Sequence, residues 1–191
     1  MTNPTPPPRK AGRPAGFDRQ AVLIKAMNLL WDRGFEATPT GDLIDHMGLS
    51  RSSFYAAFGS KRAVLLEALE IYLRQCAGLM EDIARSPGTP RQNLRAMAHQ
   101  IAQLDEGRGC FVVKAITERG RHDPDLCRIA ADHQQMLMDH VTKELRQLGA
   151  PDTIRRARVL IAAAYGTSLL TSSGLGKAEA SALLDRLVED E

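Results

Sequence analysis

Apolar residues recur every three or four positions along most of the chain. The first clear run spans residues 18–33, where Val22, Leu23, Ala26, Met27, Leu30 and Trp31 share one side of a helix. Asp18 is placed to cap its start and Gly34 to close its end. Residues 60–85 repeat the pattern with Val64, Leu65, Ala68, Leu69, Tyr72, Cys76 and Met80, between Ser60 and the breaker Ser86-Pro87-Gly88-Thr89-Pro90. Residues 90–104 carry Leu94, Met97, Ala98, Ile101 and Leu104. Gly107 and Gly109 precede a short helix over 110–120. Asp123-Pro124 opens a helix that runs to Leu148 and closes at Gly149, and further helices are expected over 152–171 and 177–189. No segment alternates as a strand would. With two short helices between 38 and 60, the pattern predicts an all-α protein of nine helices.

Those two short helices carry the chemistry. Thr38 is expected to cap the first, with Pro39 at its first position, and Leu43, Ile44 and Met47 form its apolar side. Gly48 ends it, Ser50 opens the second, and Leu49 and Phe54 hold the two together. Helix, tight turn, helix is a helix-turn-helix, which places its second helix in the DNA major groove. That second helix begins Arg51-Ser52-Ser53 and continues to Tyr55, a face built for contact rather than burial. Arginine reads guanine bidentately, and a helix N-terminus attracts phosphate. Lys61, just after Ser60, is expected at a second phosphate-seeking helix end.

Thr38, Asp42-Leu43, Met47-Gly48-Leu49-Ser50-Arg51, Phe54-Tyr55, Phe58 and Gly59-Ser60-Lys61 together resemble the TetR (tetracycline-repressor-like) family of transcriptional regulators. The resemblance reaches back to Gly34-Phe35 and Gly12-Arg13-Pro14, so it covers roughly residues 12–70. Thr40 and Gly41 depart from the family pattern, and Gly41 softens its helix by up to about 1 kcal/mol relative to Ala. The resemblance implies a homodimeric repressor that a small-molecule inducer releases from a palindromic operator on double-stranded DNA. It implies DNA contacts from Arg13, Thr38, Thr40, Arg51, Ser52, Ser53, Tyr55 and Lys61. It also implies a four-helix interface built by the last two helices of each copy. Residues 159–170 are apolar on nearly every side and need cover from the fold or from a second subunit. The expected interface residues are Leu160, Ala163, Ala164, Thr167 and Leu169, with Leu183, Leu184 and Leu187.

Charge sharpens the division. The net charge is only +2, but residues 1–65 hold nine Lys/Arg against five Asp/Glu, and the remainder holds sixteen against eighteen. The expected organisation is a disordered basic arm over 1–16, a DNA-binding domain over 17–60 and an effector-binding and dimerisation domain over 61–191. The prolines of the arm exclude regular helix, and basic arms of this kind reach the minor groove. The apolar runs are too short for a membrane span, and the Pro-rich start lacks the apolar core of a signal peptide. Three widely spaced cysteines, Cys76, Cys110 and Cys127, suit a reducing compartment, so a cytoplasmic location is expected.

No catalytic motif or metal-ligand spacing is present, so neither an enzyme nor a cofactor is expected. Met97, Cys110, Phe111, Lys114, Met136 and Tyr165, with His133, are candidates for an effector cavity, since methionines adapt to varied shapes. Cys110 opens a helix, with Arg108 before it and Lys114 one turn on, and both features favour thiolate. Arg-Gly-Cys-Phe-Val-Val resembles the opening of the corresponding helix in one branch of the family, some members of which sense electrophiles or oxidants through a cysteine. The alternative is a small apolar residue packed at a helix start. An effector-free architectural DNA-binding protein, or a helical enzyme or ligand carrier with a vestigial head, are the readings from other classes.

Overall fold

A computed structural model describes residues 16–102 and 107–189. Within them run α1 (Arg19–Arg33), α2 (Thr40–Met47), α3 (Arg51–Phe58), α4 (Lys61–Arg85), α5 (Pro90–Ala102), α6 (Phe111–Arg119), α7 (Pro124–Gln147), α8 (Thr153–Ser172) and α9 (Lys177–Glu189). One 3-10 turn, Gly120–His122, links α6 to α7. Arg13 and nearly all of the expected arm lie outside the described residues.

The helix starts follow from side-chain caps. Asp18 accepts from the Gln20 and Ala21 N–H groups, Ser50 from Ser53, Ser60 from Ala63 and Asp123 from Leu126. Each such cap contributes about 1 kcal/mol. The start of α2 differs from expectation. Pro39 takes the extended conformation at the cap position, so the helix begins one residue later, at Thr40. Thr38 caps nothing: it is fully buried, and its hydroxyl donates to the Gly34 carbonyl at 2.6 Å. It therefore ties together the two ends of the turn between α1 and α2.

Two apolar clusters make up the core. The first joins α1, α2 and α3 to the first half of α4 and continues through Cys110, Phe111, Val112 and Ala115 to Leu126 and Ile129 of α7. The second gathers Met80 with α5, the C-terminal half of α7, α8 and α9. The first cluster thus crosses residue 60, and α6 packs into the same core as the helix-turn-helix. The apolar middle of α8 divides in two. Leu160, Ile161 and Ala164 are buried in the second cluster, as is Leu184 of α9, whereas Val159, Leu169, Leu170 and Leu183 are about half exposed or more.

Arg62, at the start of α4, fastens this half of the molecule to α7. Its guanidinium donates to both carboxylate oxygens of Asp123, at 2.7 and 2.6 Å, and to Asp125 at 2.7 Å. Asp123 is buried, and the Arg62 hydrogen bonds hold its carboxyl below the usual carboxylate range. A depressed folded-state value stabilises the fold above the unfolded-state pKa of about 3.9, and that contribution fades as pH falls through the folded value. Removing Arg62 lets the Asp123 pKa rise. Arg62→Ala is therefore expected to lower Tm at pH 7 and to start acid unfolding at a higher pH than in the wild type. Circular dichroism followed from pH 7 to pH 2 checks this, and an unchanged acid midpoint would show that the pair contributes nothing.

Candidate nucleic-acid interface

The recognition helix α3 is anchored on one side and open on the other. Phe54 and Phe58, one turn apart, are buried against α1, α2 and α4. Arg51 and Ser52 point outward, and Tyr55 is 53% exposed with its ring edge-on to Phe54 at 5.3 Å. An exposed aromatic and an exposed arginine on one short helix suit base and phosphate contact better than folding. The serines divide their duties. Ser50 caps the helix and donates to the Ser53 hydroxyl at 2.9 Å, and it lies 3.0 Å from the Ser52 hydroxyl. Ser53 is half-buried and held within this network, so Ser52 is the freer of the expected pair.

Of the remaining expected contacts, Thr40 is half-buried on the first turn of α2, and buried Thr38 has no surface to offer. Lys61 is the first residue of α4, and its ammonium lies 4.1 Å from the centre of the Phe35 ring. Partial burial pulls its pKa below the ordinary lysine range, against the opposing pull of Glu36. Sequence reasoning missed Arg19. Its guanidinium donates to the Ala57 carbonyl in the last turn of α3 at 2.9 Å, and lies 4.3 Å from the centre of the Phe58 ring. It also pairs with both oxygens of Glu67 on α4, at 2.7 and 2.8 Å. One side chain thus joins α1, α3 and α4 and fixes the C-terminal end of the recognition helix. No local pattern signals it, because its partners lie 38 and 48 residues away.

The candidate effector residues are only partly brought together. Cys110 and His133 line a small cavity of about 10 Å³ with Tyr72, Cys76 and Gln100. Such a space holds a single water. The Tyr72 hydroxyl donates to the Cys110 sulfur at 3.5 Å, and His133 Nε2 lies 3.9 Å from the same sulfur. Burial pushes the Cys110 thiol up, pushes Cys76 up to about 12 and pulls His133 down to about 4. At neutral pH the cavity is therefore uncharged, and His133 Nδ1 has no protein partner. The cations expected to favour thiolate are engaged elsewhere. Arg108 lies 3.9 Å from the centre of the Trp31 ring, and Lys114 donates to the Trp31 and Asp32 carbonyls at 2.7 and 2.9 Å. Phe111 stacks on Trp31, Met97 sits in the second cluster, and Met136 and Tyr165 touch both clusters. Among the described residues no cluster of His, Cys, Asp and Glu is arranged to hold a metal ion, and no helix is long and apolar enough to cross a membrane.

Comparison with known proteins bears on the same helices. The family model described as bacterial regulatory proteins, tetR family, matches residues 22–68, which hold most of α1, all of α2 and α3, and the start of α4. The HTH-type transcriptional regulator EthR of Mycolicibacterium smegmatis is 30% identical over 156 residues, covering 78% of this chain and 71% of that protein. The HTH-type transcriptional repressor ComR of Escherichia coli is 28% identical over 133 residues, covering 67% of this chain and 63% of that protein. A solved cysteine mutant of the TetR-family regulator CifR, complexed with 26 bp double-strand operator DNA, superposes with a TM-score of 0.75 at 24% identity. That likeness covers 93% of this chain and 98% of the other. The chain belongs to the TetR family of bacterial DNA-binding transcriptional regulators.

Proposed function

We propose that the protein is a homodimeric repressor that binds a two-fold operator through α3 and leaves it when a small molecule occupies the helical body. The outward face of α3 is the observation that carries the DNA half of this reading. Arg51, Ser52 and Tyr55 stand clear of the core while Phe54, Phe58 and Arg19 hold the helix from behind. On this reading residues 17–60 act as the DNA-binding unit, and the remainder binds the effector and the second copy. Such a regulator works where the DNA is, in the cytoplasm. The repressor sense is supported by the name of the related ComR protein, and the operator by the DNA complex of the CifR mutant.

The dimer reading rests on an apolar face left uncovered in one copy. Val159 and Leu170 are 53% and 50% exposed and Leu169 is 71% exposed on α8, and Leu183 on α9 is 47% exposed. Ala162 and Gly166, exposed between them, allow a second helix to approach closely. A contiguous apolar face of this kind suits a second copy of the same chain. Of the residues expected at the interface, Leu160, Ala164, Thr167 and Leu184 are buried within their own subunit. Ala163 and Leu187 are half-buried, and Leu169 and Leu183 face outward. Val159→Glu combined with Leu169→Glu is therefore expected to give folded monomers, since neither side chain supports the subunit's own core. Light scattering that finds an intact dimer would place the interface elsewhere.

Arg51→Ala and Tyr55→Ala are expected to keep full helix content. Each is expected to lose about 1–3 kcal/mol of operator binding per half-site, the worth of one good base contact, doubled in a dimer. A gel-shift titration in which both variants keep wild-type specificity would remove α3 from the interface.

A thiol-sensing mode is a different regulation on the same fold, and the burial of Cys110 bears on it. Thiolate is the reactive species, and burial disfavours it at both Cys76 and Cys110. Cys127 is exposed. Timed alkylation at pH 7, read by mass spectrometry, is expected to label Cys127 first and Cys76 and Cys110 slowly. Faster labelling at Cys110 would restore it as a sensor.

A further inference from the structure

The turn between α1 and α2 is held from outside the helix-turn-helix, by the far end of α6. Glu118, on the last turn of α6, presents one carboxylate oxygen to two successive backbone N–H groups, Phe35 at 2.7 Å and Glu36 at 3.1 Å. Backbone N–H groups that converge after a residue with positive φ form a concave anion site. Gly34, with φ 91°, is that residue. The positive φ favours glycine at this position, and a Cβ there would have to push the Glu118 carboxylate aside.

The neighbouring side chains complete the grip. Arg119 pairs with the Glu36 carboxylate, and its guanidinium lies 4.9 Å from the centre of the Phe35 ring. Lys61 lies over the same ring. One turn earlier on α6, Lys114 donates to the carbonyls of Trp31 and Asp32, in the last turn of α1. Those carbonyls have no partner within their own helix, and a cation there also matches the helix dipole. So α6 supplies a cation to the end of α1 and an anion to the N–H groups just beyond it. The Thr38 hydroxyl, bonded to the Gly34 carbonyl, carries this anchorage to within two residues of α2.

We propose that Glu118 is a positioning residue, and that with Lys114 and Arg119 it forms a latch through which α6 sets the placement of α2 and α3. The proposal rests on the reading that α3 engages DNA. It goes further by naming the contact that links DNA engagement to the state of the body. Coupling between two sites is reciprocal, so DNA bound at α3 must tighten the latch just as a displaced α6 must loosen the hold on DNA. That allows a test without knowledge of the effector.

The full chain is incubated with a duplex selected from a random pool, and backbone hydrogen exchange is followed by mass spectrometry with and without that duplex. In the wild type, the duplex is expected to slow exchange in peptides covering α3 and also in those covering 111–122. In Glu118→Ala, slowing over α3 is expected to persist while slowing over 111–122 is lost. Glu118→Gln keeps an acceptor for the two N–H groups and is expected to restore part of it. Arg119→Ala, whose loss leaves the Glu118 bonds in place, gives a second variant with a smaller effect. Circular dichroism establishes that each variant is folded. Equal slowing over 111–122 in the wild type and Glu118→Ala, or none in the wild type, would overturn the latch while leaving DNA binding intact. Failure to retain any duplex would overturn the DNA reading and the latch with it.

Discussion

The packing of Trp31 is the interaction on which the arrangement of this molecule depends. Its indole sits at the end of α1, with Tyr72 of α4 edge-on at 5.0 Å and Phe111 of α6 stacked at 5.9 Å. Its Nε1 donates to the Gly109 carbonyl at 2.8 Å, so the polar edge of a buried ring is satisfied by the chain entering α6. Arg108 lies over the ring, and Lys114 takes the Trp31 carbonyl. One residue of the first helix is therefore bound through ring, indole nitrogen and backbone to segments about 80 positions away. The helix-turn-helix does not hang from a linker. It shares a core with the first half of α4, with α6 and with the start of α7.

That shared core relates the two ends of the protein. Tyr72 touches Trp31 on one side, and its hydroxyl reaches the Cys110 thiol beside His133. A change in the shape of the small uncharged cavity around Cys110 would press on Tyr72 and so on the end of α1. Arg62 and Asp123 form a second tie between α4 and α7, and Arg19 passes the position of α4 to the last turn of α3 through Glu67 and the Ala57 carbonyl. Packed interiors move by discrete repacking rather than by smooth deformation, so a rearrangement in this core would reach α1 as a step rather than a drift.

Much of this was legible in the residues themselves. The nine helices among the described residues, the caps at Asp18, Ser50, Ser60 and Asp123, and the outward face of α3 follow from periodicity and local hydrogen-bonding chemistry. The misreadings arose where a local rule met a non-local partner. Thr38 has the residue type of a cap, yet the extended conformation of Pro39 moved the helix start and left its hydroxyl beside Gly34. Arg108 and Lys114 are near Cys110 in sequence, but Trp31 and the end of α1 compete for them and win. The apolar run of α8 announced burial without saying by what, and only the packing separates Leu160 and Ala164 from Val159 and Leu169. Arg19, Glu67 and Glu118 carry no sequence signal, because charged residues on helix surfaces look alike until their distant partners are known.

The central claim is that two copies of α3, held in fixed relation by the body, read DNA together. Selection of bound duplexes from a random pool by the full chain tests this most directly. Two recognition helices related by a two-fold axis must enter the groove about one helical turn apart or a multiple of it. The enriched sequences are therefore expected to converge on an inverted repeat with half-sites at such a spacing. Enrichment of a single asymmetric site, or no enrichment over non-specific binding, would contradict it.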